Sequence, residues 1–441
     1  MIRDPQLPEL EVFRKVEQKL PFSERFDYSK YVSPVPNSDV PVHRWFRFKE
    51  SFSPDLLTEI LHSIAASLGK HFRLLDPFCG VGTTLLAAQE KTIGGYDIEA
   101  IGIEANPFIE FAARTKVRWP EIDADALTDL AARILKKSDS YHQRIPPLSS
   151  LTTGRCISRH LSQRILAIRE ALRHDGDTAA HDALLLGLAS AIEPASRIRK
   201  DGRALRIIEK DRPNLTTILK DRWAIIAEDV KFFQNTIPKP RIPRVMLGDG
   251  RKIIDQGFGA DSFDLVLTSP PYPNNIDYSE VYKLELWLLG FLKTQDEFLK
   301  LRRTTFRSHP TCSTPEPLAE FVAELRKGRL KILLQPILER LEKIPGKWRE
   351  RVLLGYFSDI WLSLHQQYQC LRKGGFAILV VGNSLHGGAF SPYLVPTDIV
   401  VSTIGSCLGF ELVQLTIARA SKRRLSGNHF LRESVVIFKK T

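Results

Sequence analysis

A short apolar run, Arg73-Leu74-Leu75-Asp76-Pro77-Phe78, passes directly into Cys79-Gly80-Val81-Gly82-Thr83-Thr84 and then into the helical stretch Leu85–Glu90. A buried strand, a glycine turn and a helix in immediate succession open a doubly wound α/β sheet, and no other feature constrains the chain as strongly. A second strand and helix follow at Ile101–Glu104 and Asn106–Lys116. Strand-like segments resume at Arg244–Asp249, Phe263–Thr268, Gly374–Gly382, Glu411–Ala418 and Ser434–Lys439, making seven. The last two are joined by a basic connection, Lys422–His429, with no helical pattern. They are therefore expected as an antiparallel pair closing the sheet edge.

The alternation is interrupted twice, so 441 residues read as one large core with insertions, or as two domains. Residues 1–50, with Pro21, Pro34, Pro36 and Pro41 among aromatics, suggest an extended arm lying on a body. Residues 51–120 form the first part of the core, and Ser53-Pro54-Asp55-Leu56-Leu57 opens its first helix. Residues 121–240 are a mostly helical insertion and 241–292 a second core part, whose stretch Ser279–Leu292 is apolar almost all round. Residues 293–356 form another insertion, with 14 Lys/Arg against 8 Asp/Glu, and 357–441 complete the core.

Composition excludes several classes. Hydrophobic residues at 43% and charged residues at 26% argue against a mostly disordered chain. No apolar run approaches the 18 or so residues of a bilayer span, and Met1–Gln6 has no signal-peptide pattern. Cysteines 79, 156, 312, 370 and 407 stand singly, with no CxxC pair for zinc and no disulfide framework. A cytoplasmic protein without a metal is the expectation. The net charge of +12 favours a polyanionic partner.

Four places carry candidate chemistry. The glycines of 79–84 let backbone approach a ligand, or simply make a tight turn; the pattern lacks the lysine of a phosphate-cradling loop. Glu104, at the end of the second strand and some 20 residues past the glycines, suits a ribose diol or a helix cap. Asp249, after the third strand, suits an adenine amino group or a turn. The fourth is Thr268-Ser269-Pro270-Pro271-Tyr272, directly after a buried strand. Two prolines stiffen the backbone and remove two amide donors, leaving carbonyls and the Ser269 hydroxyl as acceptors. Such a corner suits the exocyclic amino group of a planar base, gripped by Ser269 and the Pro270 carbonyl, with Tyr272 stacked on the ring.

With these residues in view, the chain resembles the amino-group DNA methyltransferases that use S-adenosylmethionine. Asp76–Thr84 is close to that family's cofactor loop DPFxGxGTT, and Ser269–Tyr272 is the SPPY form of its catalytic motif. The resemblance implies a Rossmann-like seven-stranded methyltransferase sheet with an antiparallel last strand. It implies cofactor contacts from Asp76, Phe78, Gly80, Gly82, Thr83, Thr84, Glu104, Ala105 and Asp249. Lys49–Leu57 resembles the helix motif before the cofactor loop, in which Phe52 either closes over the cofactor's methionine end or packs in the core. SPPY is the form most associated with cytosine N4, Asp or Asn before the prolines with adenine N6. The cofactor loop precedes the catalytic motif here, whereas many relatives have the reverse order.

The target amine's lone pair is conjugated into its ring, and two hydrogen bonds to acceptors would localise it for direct attack on the sulfonium methyl. None of the cysteines follows a proline, which speaks against carbon-5 methylation of cytosine. A paired base must be flipped out, at a cost of a few kcal/mol. Asn274-Asn275-Ile276-Asp277-Tyr278 reads the base edge or caps the next helix. Two basic regions compete as the contact with double-stranded DNA: Arg197, Arg199, Lys200 and Arg203 in the first insertion, and Arg302 and Arg303 in the second, with Lys422-Arg423-Arg424 a smaller third. A separately acting restriction endonuclease is a further expected partner. The rival readings are adenine N6 methylation, an RNA base-amino methyltransferase and a non-catalytic DNA-binding protein.

Overall fold

Strands that are apolar on both faces need cover on both sides, and period-two alternation divides this chain's core accordingly. The computed structural model describes residues 7, 9–146, 156–201, 204–209, 213–313, 315–346, 348–387, 392–420 and 430–441. One sheet contains β1 (Phe22–Glu24), β2 (His71–Asp76), β3 (Asp97–Glu104), β4 (Arg244–Leu247), β5 (Phe263–Thr268), β6 (Leu371–Gly382), β7 (Phe410–Ala420) and β8 (Arg432–Lys440). In β6, Phe376, Ile378 and Val380 join the core on one face. Ala377, Leu379 and Val381 join the core on the other.

The spatial order is β1-β7-β8-β6-β5-β2-β3-β4. Only β8 is reversed: it lies between β6 and β7, antiparallel to both. The remaining pairs are parallel. The seven expected strands and the reversed last one are present. The sheet edge differs: β7 is not the boundary, because Phe22–Glu24 of the N-terminal arm pairs outside it, with Phe22 opposite Leu415. The arm is also not extended. It forms the helix Glu9–Glu17, β1 and three short 3-10 turns. It is pinned by Asp229, which accepts from the Val42 amide (2.9 Å) and the Trp45 indole (3.1 Å).

Ser53 caps the helix Asp55–Leu68 through the Asp55 amide (3.3 Å). This helix, together with Thr83–Glu90 and Pro107–Val117, covers one face of the sheet. The first insertion contributes the helices Ala124–Ser138, Arg159–Asp175, Ala179–Ala195 and Leu215–Thr236 to that same face. Helices Ala319–Lys327 and Arg329–Glu342 of the second insertion pack on the opposite face. Helix Trp348–Cys370 runs straight through the 356/357 division and leads into β6. The stretch 279–292 is buried as expected but is broken into Tyr278–Val281 and Lys283–Leu288. Within the mostly helical first insertion, Ile198–Asp201 and Ala204–Ile207 form an antiparallel hairpin. No helix among the described residues is long and apolar enough to cross a membrane.

Candidate active site

The carboxyl ends of β2, β3, β4 and β5 open into one cavity of about 460 Å³. Its walls include Pro77, Phe78, Gly80, Glu104, Ala105, Asp249, Ser269, Pro270, Pro271 and Tyr272. The diproline corner and the glycine loop therefore face the same space.

At the loop, Gly80 has φ +52°, and a Cβ there would stand 3.1 Å from the Phe48 ring. Its amide donates to Glu104 Oε2 (3.2 Å), while the Asn106 amide donates to Oε1 (2.8 Å). Burial pushes the Glu104 carboxyl up to about 7, against the pull of these backbone donors. Asp249 is held by Arg251, whose Nε and Nη2 donate to it at 2.9 and 2.8 Å. Arg251 also reaches Asp359 (2.9 Å) and the Thr304 carbonyl (2.7 Å). Asp359 in turn takes the buried Arg307 guanidinium at 2.6 Å. This network latches the second insertion's segment 304–309 over the cavity. Phe306 there meets Phe78 edge-on, with ring centroids 5.5 Å apart.

At the corner, Ser269 Oγ donates to the Val380 carbonyl (3.2 Å), which leaves its oxygen lone pairs as acceptors. The Tyr272 ring lies against Gly382, where a Cβ would come within 2.6 Å of it. Burial raises the Tyr272 phenol well above its ordinary range, so it stays neutral. Asp277 caps the following helix through the Glu280 amide (3.2 Å) and takes Arg302 Nε at 2.7 Å. Asn274 and Tyr278 from the same cluster line the cavity.

Several expected site residues stand elsewhere. Asp76 lies beneath the loop, buried, and accepts from Thr84 Oγ1 (2.6 Å) and Thr268 Oγ1 (2.7 Å). It thus joins the two turns, and burial pushes its carboxyl up to about 6. Gly82, Thr83 and Thr84 start the helix behind the loop and do not line the cavity. Phe52 is core; Lys49, Glu50 and Ser51 from the same stretch, and Phe48 just before it, line the cavity instead. Lys200 is no phosphate contact: it is buried, with Nζ on Glu285 Oε1 (2.5 Å) and 4.4 Å from the Tyr282 ring centre. Hairpin alternation explains this, because Ile198 and Lys200 point inward while Arg197 and Arg199 point out. Arg302 is engaged by Asp277, whereas Arg303 is exposed. Arg203 and the patch Lys422-Arg423-Arg424 lie outside the described residues.

Sequence reasoning missed Val32, Pro34, Phe306, His309, Arg419 and Glu433, all on the cavity wall. Arg419 and Glu433 carried a faint signal, as charged residues near the ends of otherwise apolar strands. Among the described residues no disulfide joins the cysteines, and no group of three or more His, Cys, Asp or Glu is gathered for a metal.

The reversed β8 between β6 and β7, together with a glycine loop, a strand-end carboxylate and a diproline corner around one cavity, defines the Rossmann-like, S-adenosylmethionine-dependent methyltransferase class. Within that class the chain resembles the amino-group DNA methyltransferases. It is 24% identical over 485 aligned positions to the Type II methyltransferase M.BsoBI of Geobacillus stearothermophilus, covering 99% of this chain and 92% of that one. It is 26% identical to the Type II methyltransferase M.AvaI of Anabaena variabilis (93% and 89% covered). It is 20% identical to the Type II methyltransferase M.MvaI of Kocuria varians (83% and 82%). No family model matches the chain. Among solved structures, the rRNA methyltransferase AviRa of Streptomyces viridochromogenes aligns over 88% of this chain and 85% of its own, at 13% identity and a TM-score of 0.28, a likeness too slight to carry an argument.

Proposed function

We propose that this protein methylates the exocyclic amino group of a flipped base in double-stranded DNA, and that the base is cytosine, modified at N4. One observation carries the reading: Ser269-Pro270-Pro271-Tyr272 and the Gly80 loop wall the same cavity. The residues present suit S-adenosylmethionine. Gly80 leaves an opening that a side chain would close, Glu104 offers a carboxylate to a ribose diol, and Asp249 with Phe78 and Phe306 frames the β4 end for an adenine. When bound, the cofactor supplies a sulfonium methyl group, and the amine that accepts it gives up a proton.

The chain's own part is to hold that amine. Ser269 Oγ, its proton committed to Val380, and the Pro270 carbonyl accept the amine's two hydrogens, which draws its lone pair out of conjugation. Tyr272, backed by Gly382, offers a ring face for stacking. The exposed Arg197, Arg199 and Arg303 are the proposed phosphate contacts. A separately acting restriction endonuclease as partner and the cytoplasm as the compartment belong to the same proposal.

The test is incubation of the purified protein with unmethylated plasmid DNA, followed by nucleoside mass spectrometry. N4-methylcytosine is expected; N6-methyladenine would move the assignment to the rival base, and methyl transfer only to RNA would remove DNA as substrate. Tyr272→Ala is expected to lower turnover about 10- to 100-fold, the worth of about 1–3 kcal/mol of stacking, while calorimetry shows cofactor affinity unchanged. An equal loss of cofactor affinity would show that Tyr272 serves the cofactor instead.

The raised Glu104 carboxyl predicts a pH dependence. Its ionised form is an acceptor for both ribose hydroxyls, and its protonated form is not. Cofactor affinity should therefore rise with pH up to about 7, by as much as tenfold per unit, and level off above. Calorimetry at pH 6, 7 and 8 measures this, with Glu104→Gln isolating the contribution. Parallel pH profiles for the two proteins would assign the titration to another group.

A further inference from the structure

The cavity has a wall that neither the cofactor loop nor the diproline corner explains. Gly382, Glu433 and Arg419 are direct cross-strand partners on β6, β8 and β7, so they form one row across three strands. Gly382 carries the Tyr272 ring, and Glu433 and Arg419 line the cavity next to it, paired at 2.7 Å. A register shift between Ile417 and Arg419 brings Arg419 opposite Glu433, and bulges of this kind re-aim side chains beside active sites. The row lies on the far side of β2 and β5 from Glu104 and Asp249. It therefore faces the target base, not the cofactor.

We infer that Arg419 reads the base: its guanidinium donates to the carbonyl oxygen of cytosine, and Glu433 holds the guanidinium in place. This rests on the reading of the site given above and names the base it takes. The chemistry follows from the grip. With the amine fixed at Ser269 and Pro270, the next atom along the base edge is a ring nitrogen acceptor in both cytosine and adenine. The atom after that is a carbonyl oxygen in cytosine and a C–H in adenine. A guanidinium, which is donor only, rewards the first and gains nothing from the second. Arg419 is thus a specificity-determining residue and Glu433 a positioning residue.

The test uses the full-length chain. Single-molecule sequencing of DNA methylated by the wild type gives the target site, and duplexes are then made with cytosine or adenine at that position. Arg419→Lys keeps a charge for Glu433 but loses the fork, and should lower the cytosine rate about 10- to 100-fold, with cofactor affinity by calorimetry unchanged. The cytosine-to-adenine rate ratio should fall at least tenfold, which a merely structural role would not produce. Glu433→Gln, which leaves Arg419 in place, should lower that ratio several-fold and serves if the lysine variant does not fold. An unchanged ratio in the folded variants overturns the inference while leaving DNA methylation intact. A wild-type product of N6-methyladenine also overturns it, and the absence of any methylated DNA base removes the underlying reading with it.

Discussion

Gly80→Val is expected to abolish measurable cofactor binding, a loss of at least about 100-fold, while the protein stays folded. Gly80 sits at φ +52°, a region that β-branched residues avoid, so the turn must rearrange to accept the substitution. The first added carbon meets the Phe48 ring at 3.1 Å. That ring is stacked on Tyr282, with centroids 5.5 Å apart, and has little room to retreat. The Gly80 amide would also leave Glu104, freeing the carboxylate to swing from its place. Calorimetry with S-adenosylmethionine measures the loss, and a melting curve close to that of the wild type shows that the sheet survives. An unchanged dissociation constant would mean that the loop backbone does not approach the cofactor.

The second large effect is on stability. Asp398 is fully buried at the start of the helix Thr397–Cys407. It accepts from Arg432 Nε (2.7 Å), Ser434 Oγ (2.8 Å), Asn383 Nδ2 (2.8 Å) and the Ile399 amide (2.8 Å). Arg432 is itself buried and also meets Glu17 of the N-terminal helix at 2.5 Å. Asp398→Ala leaves an arginine with half its compensation and strands three other donors, at a cost of about 3–5 kcal/mol. The denaturant midpoint should fall sharply, and Asp398→Asn should recover part of it by keeping the acceptor oxygen. A change under about 1 kcal/mol would show that Glu17 and water suffice.

The core strands were legible because each is a run of apolar residues bounded by turn formers, and Phe263–Thr268 has the same limits in sequence and structure. β1 was not legible, since three residues, Phe-Ser-Glu, carry no period and pair only because β7 has a vacant edge. The loop and corner residues could be read because each motif is contiguous. Phe306 and Arg419 could not, because insertion packing and strand register, not local sequence, bring them to the cavity. Lys200 was misplaced by counting charge without alternation: as every second residue of a strand it follows Ile198 inward, and Glu285 meets it there.

One buried carboxylate, Asp76, ties Thr84 behind the glycine loop to Thr268 at the foot of the diproline corner. The tie runs sideways between neighbouring strands, not along the backbone. What the chemistry needs is adjacency in space, so evolution can shuffle which half is translated first, rewire the connections and graft new recognition pieces between the halves without disturbing the joint.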